Sequence, residues 1–138
     1  MVDAGCGFGE YYKYLQLNNY TDLQYIGIDC EKEMIRISKN RFENIDFYQK
    51  DILQDTLLLA DYYVCSGAMN ILKKNDFYHF IEKCFTSSSK GFVFNFLKNK
   101  SFNNIKIEEV LSFCSSLTPK IQTKNNYLDN DFTIFMIK

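Results

Sequence analysis

Apolar residues along this chain follow two periods, and the two alternate. Phe77, Phe80, Ile81, Cys84 and Phe85 recur at i, i+3, i+4, i+7 and i+8, one continuous stripe along a helix. Ile107, Val110, Leu111 and Cys114 make a second such stripe, closed before Pro119. Upstream, residues 10–17 place Tyr11, Tyr14 and Leu15 on one helical face. Residues 31–42 carry acids in the first turn and Lys39 and Arg41 late, the order the helix dipole favours. Short apolar runs lie between the helices, at residues 1–4, 24–29 (QYIGID), 45–49 and 61–65 (DYYVC). Residues 51–60 read as a loop with at most one helical turn. Residues 87–90 end the Phe77 helix, and 91–97 (GFVFNFL) form a strand. The last two extended stretches, 120–124 and 132–137, are joined by Asn/Asp-rich residues that suit a turn.

Strands alternating with helices imply parallel β-α-β units with right-handed crossovers. The last two strands, linked without a helix, must pair antiparallel. The expected class is therefore α/β: a mostly parallel seven-stranded sheet, helices on both faces, and an antiparallel strand near one edge. No repeat or linker divides the chain, so residues 1–138 are expected to form a single domain with a real core.

Composition narrows function more than fold. Hydrophobic residues make up 46% and charged residues 24%, the balance of a globular protein. The net charge is −1 with Lys and Arg scattered, so nucleic-acid binding is disfavoured. The five cysteines, Cys6, Cys30, Cys65, Cys84 and Cys114, contain no C-x-x-C pair, and His79 is the one histidine. That argues against a zinc site or a disulfide framework, so no metal is expected and the thiols are expected to be reduced. No signal peptide is visible, and no apolar run approaches the roughly 18 residues of a membrane span. A soluble cytoplasmic protein is the expectation.

Gly5, Gly7 and Gly9 stand between a strand and a helix, where glycine allows a sharp turn and lets a ligand approach the main chain. Many nucleotide folds use such a turn. The dinucleotide fingerprint G-x-G-x-x-G would need glycine where Glu10 stands, and an acid there would face a pyrophosphate. A phosphate-cradling G-x-x-x-x-G-K-[ST] is absent as well. What is present is Asp3-Ala4-Gly5-Cys6-Gly7-Phe8-Gly9, an acid leading G-x-G-x-G. A carboxylate there suits a ligand that carries ammonium and sulfonium charges.

Asp29 ends its strand about 20 residues after the turn, the distance at which such folds place an acid on the ribose hydroxyls. It also suits a helix N-cap, with Glu33 close behind. Asp51-Ile52 follows the next strand, and Cys65-Ser66-Gly67-Ala68-Met69-Asn70 the one after. Together these stations resemble the class I S-adenosylmethionine-dependent methyltransferases along essentially the whole chain. The resemblance implies a donor site of Asp3, Gly5, Cys6, Gly7, Asp29, Cys30, Met34, Asp51, Ile52, Ser66 and Gly67. Within it, Asp29 would hold the ribose and Asp51-Ile52 the adenine, with Cys30 and Met34 packing beside it, although for Met34 a place in the core is the preferred reading. The loop 65–70 would border the methyl group, which makes Asn70 and Tyr11 candidates on the acceptor side, although a helix cap or solvent-facing loop position explains Asn70, and core packing Tyr11, equally well.

Two departures carry information. The loop lacks the [DNS]-P-P-[FYW] pattern of enzymes that methylate exocyclic amines of bases or glutamine, and the Pro-Cys pair of cytosine-C5 enzymes is missing. Relative to the family, the first strand is also short and no helical segment precedes it, as in a chain trimmed at its N-terminus. His79 lies about 200° around its helix from Phe77, opposite the apolar stripe, and reads as a surface residue rather than a base. The expected function is methyl transfer from S-adenosylmethionine to a small-molecule or protein acceptor. A donor-binding subunit that has lost catalysis, and an NAD-dependent oxidoreductase, remain as alternatives.

Overall fold

The computed structural model describes residues 1–20, 22–98 and 105–138. In chain order the elements are β1 (Val2–Ala4), α1 (Glu10–Leu17), β2 (Ile26–Asp29), α2 (Lys32–Arg41), β3 (Asp46–Gln49) and β4 (Ala60–Ser66). There follow a single 3-10 turn (Ala68–Ile71), α3 (Lys74–Thr86), β5 (Ser88–Leu97), α4 (Ile107–Leu117), β6 (Ile121–Lys124) and β7 (Asp131–Ile137). The strands make one seven-stranded sheet in the order β3-β2-β1-β4-β5-β7-β6. Every pair from β3 to β5 is parallel, whereas β7 runs antiparallel to both β5 and β6. The α/β class, the strand number and the antiparallel strand next to one edge are as the alternation of periods implied.

Register explains how the sheet is covered. Side chains alternate between faces along a strand. Val2 and Ala4 of β1, Ile28 of β2, Tyr63 and Cys65 of β4, and Phe92, Phe94 and Phe96 of β5 join one buried cluster with α3 and α4. The three β5 phenylalanines stack in a row, with centroids 5.0 and 6.1 Å apart, and Phe77 of α3 sets its edge against Phe94 and Phe96. Phe47 of β3 pairs with Gly27, so it lies on the opposite face; there it packs with Cys6, Leu15 of α1, Tyr25 and Ile35 of α2. Helices thus cover both faces.

Two local expectations are corrected. The strand expected from residue 91 begins at Ser88, because the buried Ser88 hydroxyl donates to the Phe85 carbonyl (2.7 Å) and closes the helix within one residue. Residues 88–90 thereby enter the ladder, opposite an irregularity between Ala60 and Tyr62. On α1 only Leu15 of the expected face is buried; Tyr14 is 55% exposed and stacks on Tyr11, with centroids 6.3 Å apart.

Phe77 is fully buried between the phenylalanine row and Tyr78. Phe77→Ala should cost ~3–5 kcal/mol through lost burial and the cavity left behind. Urea unfolding of the two proteins checks this, with the midpoint expected to fall and the slope to stay unchanged.

Candidate functional site

The glycine turn leaves β1 at the carboxyl edge of the sheet, beside the point where strand order reverses between β1 and β4. Gly5 has φ +78°, and a Cβ on it would lie 2.3 Å from the Ala68 Cβ, so the position admits only glycine. The Gly5 and Cys6 amides both donate to the Ile28 carbonyl, at 2.8 and 3.0 Å. Gly7 is held through both its main-chain N–H and its C=O. Its N–H donates to Asp29 Oδ2 (2.9 Å), and its carbonyl accepts from the Ser38 hydroxyl of α2 (2.8 Å). Arg41 Nη1 donates to the next carbonyl, that of Phe8, at 2.6 Å. Asp29 Oδ1 accepts the Glu31 N–H just ahead of α2 (2.9 Å), so this carboxylate ties the turn to the helix entrance.

Below the turn opens a cavity of about 340 Å³, of a size that takes a small ligand. Of the residues expected at a ligand, Gly5, Gly7, Asp29, Cys30, Met34, Asp51, Ile52 and Ser66 line it. Asp51 Oδ1 accepts the Leu53 N–H (2.8 Å), and the Asp51 N–H donates to Asp55 Oδ2 (2.8 Å), which folds residues 51–55 into a fixed turn at the rim. Glu31, Lys50, Leu53, Ala68, Ile71, Leu72 and Phe80 also line the wall, although the sequence did not single them out. Glu31, Lys50 and Leu53 flank stations that were legible; Phe80 belongs to the apolar stripe and serves core and cavity together. Glu10, which stands where a dinucleotide fingerprint needs glycine, pairs with Arg41 (2.6 Å) and does not line the cavity.

Asp3, Cys6, Gly67, Asn70 and Tyr11 stand outside the cavity wall. Asp3 is 2% exposed behind the turn, where the Tyr25 hydroxyl donates to its Oδ2 (2.5 Å). Burial pushes the Asp3 carboxyl up to about 7; the Tyr25 bond opposes that shift, and the charge of Asp29 adds to it. Cys6 is buried beside it, and burial raises its thiol too. Gly67 has φ +82° and its N–H donates to Asn95 Oδ1 (2.8 Å), while Asn95 Nδ2 donates to Asp131 Oδ1 (2.7 Å). The one sequence signal for Asn95 was a polar residue inside the apolar run GFVFNFL. Asn70 Oδ1 accepts the Leu97 N–H (3.0 Å), so Asn70 fastens the 3-10 turn to the end of β5.

Tyr11 lines a second groove of about 520 Å³ with Tyr14, Asn95, Tyr127 and Thr133, and Ser66 borders both this groove and the cavity. His79 is exposed on α3, 3.8 Å from Glu82. Among the described residues no group of three His, Cys, Asp or Glu side chains is placed to hold a metal, all five cysteines are free, and no helix is long and apolar enough to cross a membrane.

The family profile described as a methyltransferase domain matches residues 1–91. A Mycobacterium tuberculosis protein, Rv1506c, whose name assigns it provisionally to the methyltransferases, is 36% identical over 110 residues, covering 72% of this chain. The chain spans 63% of the length of that relative. The magnesium protoporphyrin IX methyltransferase of Synechocystis PCC 6803, solved with bound S-adenosylmethionine, superposes with a TM-score of 0.79 at 12% identity, over 99% of this chain and 68% of that one. A TehB-like methyltransferase of Corynebacterium glutamicum gives 0.77 at 17% identity, over 99% and 79%. At these identities the superpositions show a shared fold.

Two outcomes follow from the geometry. A carboxyl raised by folding contributes stability that is complete below its unfolded value, near 3.8, and is lost as pH rises through about 7. The melting temperature of Asp3→Asn relative to the parent should therefore climb between about pH 4 and pH 8; a constant difference across that range contradicts it. Asn70→Ala should lose ~1 kcal/mol of stability with the Leu97 bond, read as a lower melting temperature.

Proposed function

The chain belongs to the methyltransferase-domain family, and from that premise we propose that it binds S-adenosylmethionine in the cavity under the glycine turn and passes the methyl group to a small-molecule or protein acceptor. The observation that carries this reading is the charge of the wall. Asp29, Glu31 and Asp51 line the cavity with Lys50 as the single basic residue, a setting that favours a cation and disfavours the pyrophosphate of a dinucleotide.

The residues present fit the donor chemically. Each oxygen of Asp29 already accepts one N–H and retains a second lone pair, enough for two ribose hydroxyls. Asp51, fixed by its turn, suits the adenine amino group, with the Ile52 main chain beside it. Cys30 and Met34 offer soft apolar contacts to the base, and Gly5 and Gly7 leave room for the methionine portion against the backbone. Ser66 comes at the border between the cavity and the Tyr11 groove, with Gly67 next to it in the chain, which is the reading's place for the acceptor.

When bound, the donor supplies an electrophilic methyl group on a sulfonium leaving group. The chain's part is alignment and water exclusion, for which effective molarities of up to ~10⁵–10⁸ M are available. No base is assigned: His79 stands exposed on α3, outside both the cavity and the groove.

Calorimetric titration tests the reading. The parent should bind S-adenosylmethionine and S-adenosylhomocysteine and show no heat with NAD. Asp29→Ala should lose charge-assisted hydrogen bonds worth ~1.5–3 kcal/mol each, at least a tenfold fall in affinity. Equal affinity in that variant, or tight NAD binding, rejects the assignment.

A further inference from the structure

Behind the glycine turn lies a buried cluster that the donor site as described does not use. Asp3 sits in the middle of β1, 2% exposed, with the Tyr25 hydroxyl on its Oδ2 at 2.5 Å. Tyr25 is itself 5% exposed and is wedged between Tyr12 of α1 and Phe47 of β3, with ring centroids at 4.9 and 6.0 Å. The titratable groups facing Asp3 are Tyr25 and Asp29 from the β2 segment, Cys6 from the turn, Tyr11 from α1 and Cys65 from β4. None of them is a cation. Among the described residues, a carboxylate here has one hydroxyl partner, a second carboxylate close by, and no positive charge acting on it. The basic residue of the cavity wall, Lys50, turns its ammonium to the Thr56 carbonyl (3.1 Å) and is not among the groups acting on Asp3.

We infer that Tyr25 and Asp3 form a proton-holding pair behind the turn, and that a cationic ligand settling in the cavity that the turn borders expels this proton. Donor binding is thereby linked to pH, and the sulfonium donor is preferred over its thioether product. The inference rests on the donor site proposed above. In the step itself the O–H bond of the Asp3 carboxyl breaks, its electron pair stays on Asp3 and the proton passes to water. Tyr25 keeps its own proton and goes on donating to Oδ2. The missing countercharge is what the ligand brings. S-adenosylmethionine carries one more positive charge than S-adenosylhomocysteine, so it draws the proton off more strongly. Burial, which sets the carboxyl near 7, places the linkage in the neutral range. Tyr25 acts as a positioning residue: its bond favours the carboxylate, so its removal should move the transition to higher pH.

The experiment has a ligand-free arm and a ligand arm. In protein labelled with carbon-13 at aspartate carboxyls, one signal should titrate near 7, be absent in Asp3→Asn and shift upward in Tyr25→Phe. In calorimetry between about pH 6 and pH 9, affinity of the parent for S-adenosylmethionine should rise, approaching tenfold per pH unit below the transition. Asp3→Asn serves as the baseline, since it retains the titration of the ligand's own ammonium near 8. Tyr25→Phe should bind weakly near pH 7 and recover toward parental affinity near pH 9, whereas a purely structural role would lower affinity equally at every pH. The pH slope should be smaller for S-adenosylhomocysteine. Superimposable profiles for the parent and Asp3→Asn, or no aspartate titrating near 7, overturn the inference while leaving donor binding intact. Absence of donor binding at every pH overturns the proposed function, and this inference with it.

Discussion

Gly7, held through both its main-chain N–H and its C=O, is the point on which the cavity wall depends. Its N–H goes to the Asp29 carboxylate and its C=O to the Ser38 hydroxyl, so one residue of the turn is fastened to the end of β2 and to the middle of α2. The turn cannot then drift without dragging both elements. Asp29 in turn spends its other oxygen on the Glu31 amide, which fixes where α2 begins. A carboxylate accepting two main-chain N–H groups at 2.9 Å is a strong, directional tie. It explains how a turn with three left-handed glycines holds a single shape although glycine has the most backbone freedom to lose. The residue that fixes the turn, Asp29, is therefore also one that lines the cavity.

Much of this was legible in the chain because period and punctuation agree. The Phe77 stripe, the glycine turn and the acids Asp3, Asp29 and Asp51, in or just after three successive strands, fix the order of elements, and right-handed crossovers then leave few topologies. Asp29 was open to two readings, ribose ligand or helix cap. The structure gives its carboxylate a main-chain role beside α2, while the helix proper starts behind Glu31 with no side-chain cap. Contacts between residues far apart in sequence were not legible. Nothing in the run GFVFNFL says that Asn95 will meet Gly67 across 28 positions, nor does QYIGID say that Tyr25 will reach Asp3 across 22. Periodicity reports which face a residue takes; it does not report which neighbour the register delivers there.

The two faces of the sheet are built to different standards. The α3–α4 face is a continuous apolar wall in which Phe92, Phe94, Phe96 and Phe77 interlock through their rings. The α1–α2 face carries a smaller cluster, and it is there that the fold admits a buried acid, Asp3, in register with Gly27 and Val64. A buried carboxyl costs free energy that an apolar residue would not. The large wall on the other face is what lets the fold carry that cost, and the cost falls directly behind the turn that forms the cavity.

The two sides of the site are also held by different means. On the side of the glycine turn the ties are a carboxylate to main-chain amides, short-range across adjacent parallel strands. On the other side, amide side chains do the fastening. Asn95 bridges Gly67 to Asp131 of β7, and Asn70 bridges the 3-10 turn to Leu97 at the end of β5. Since β7 is the antiparallel strand, the loop that borders both cavity and groove is anchored to the part of the sheet that breaks the parallel pattern. Changes in the groove around Tyr11, Tyr14 and Tyr127 therefore need not pass through Gly7 or Asp29. An architecture with this separation can keep one cavity constant while its neighbouring surface is refitted, because among the described residues no hydrogen bond of the glycine turn ends on a groove side chain.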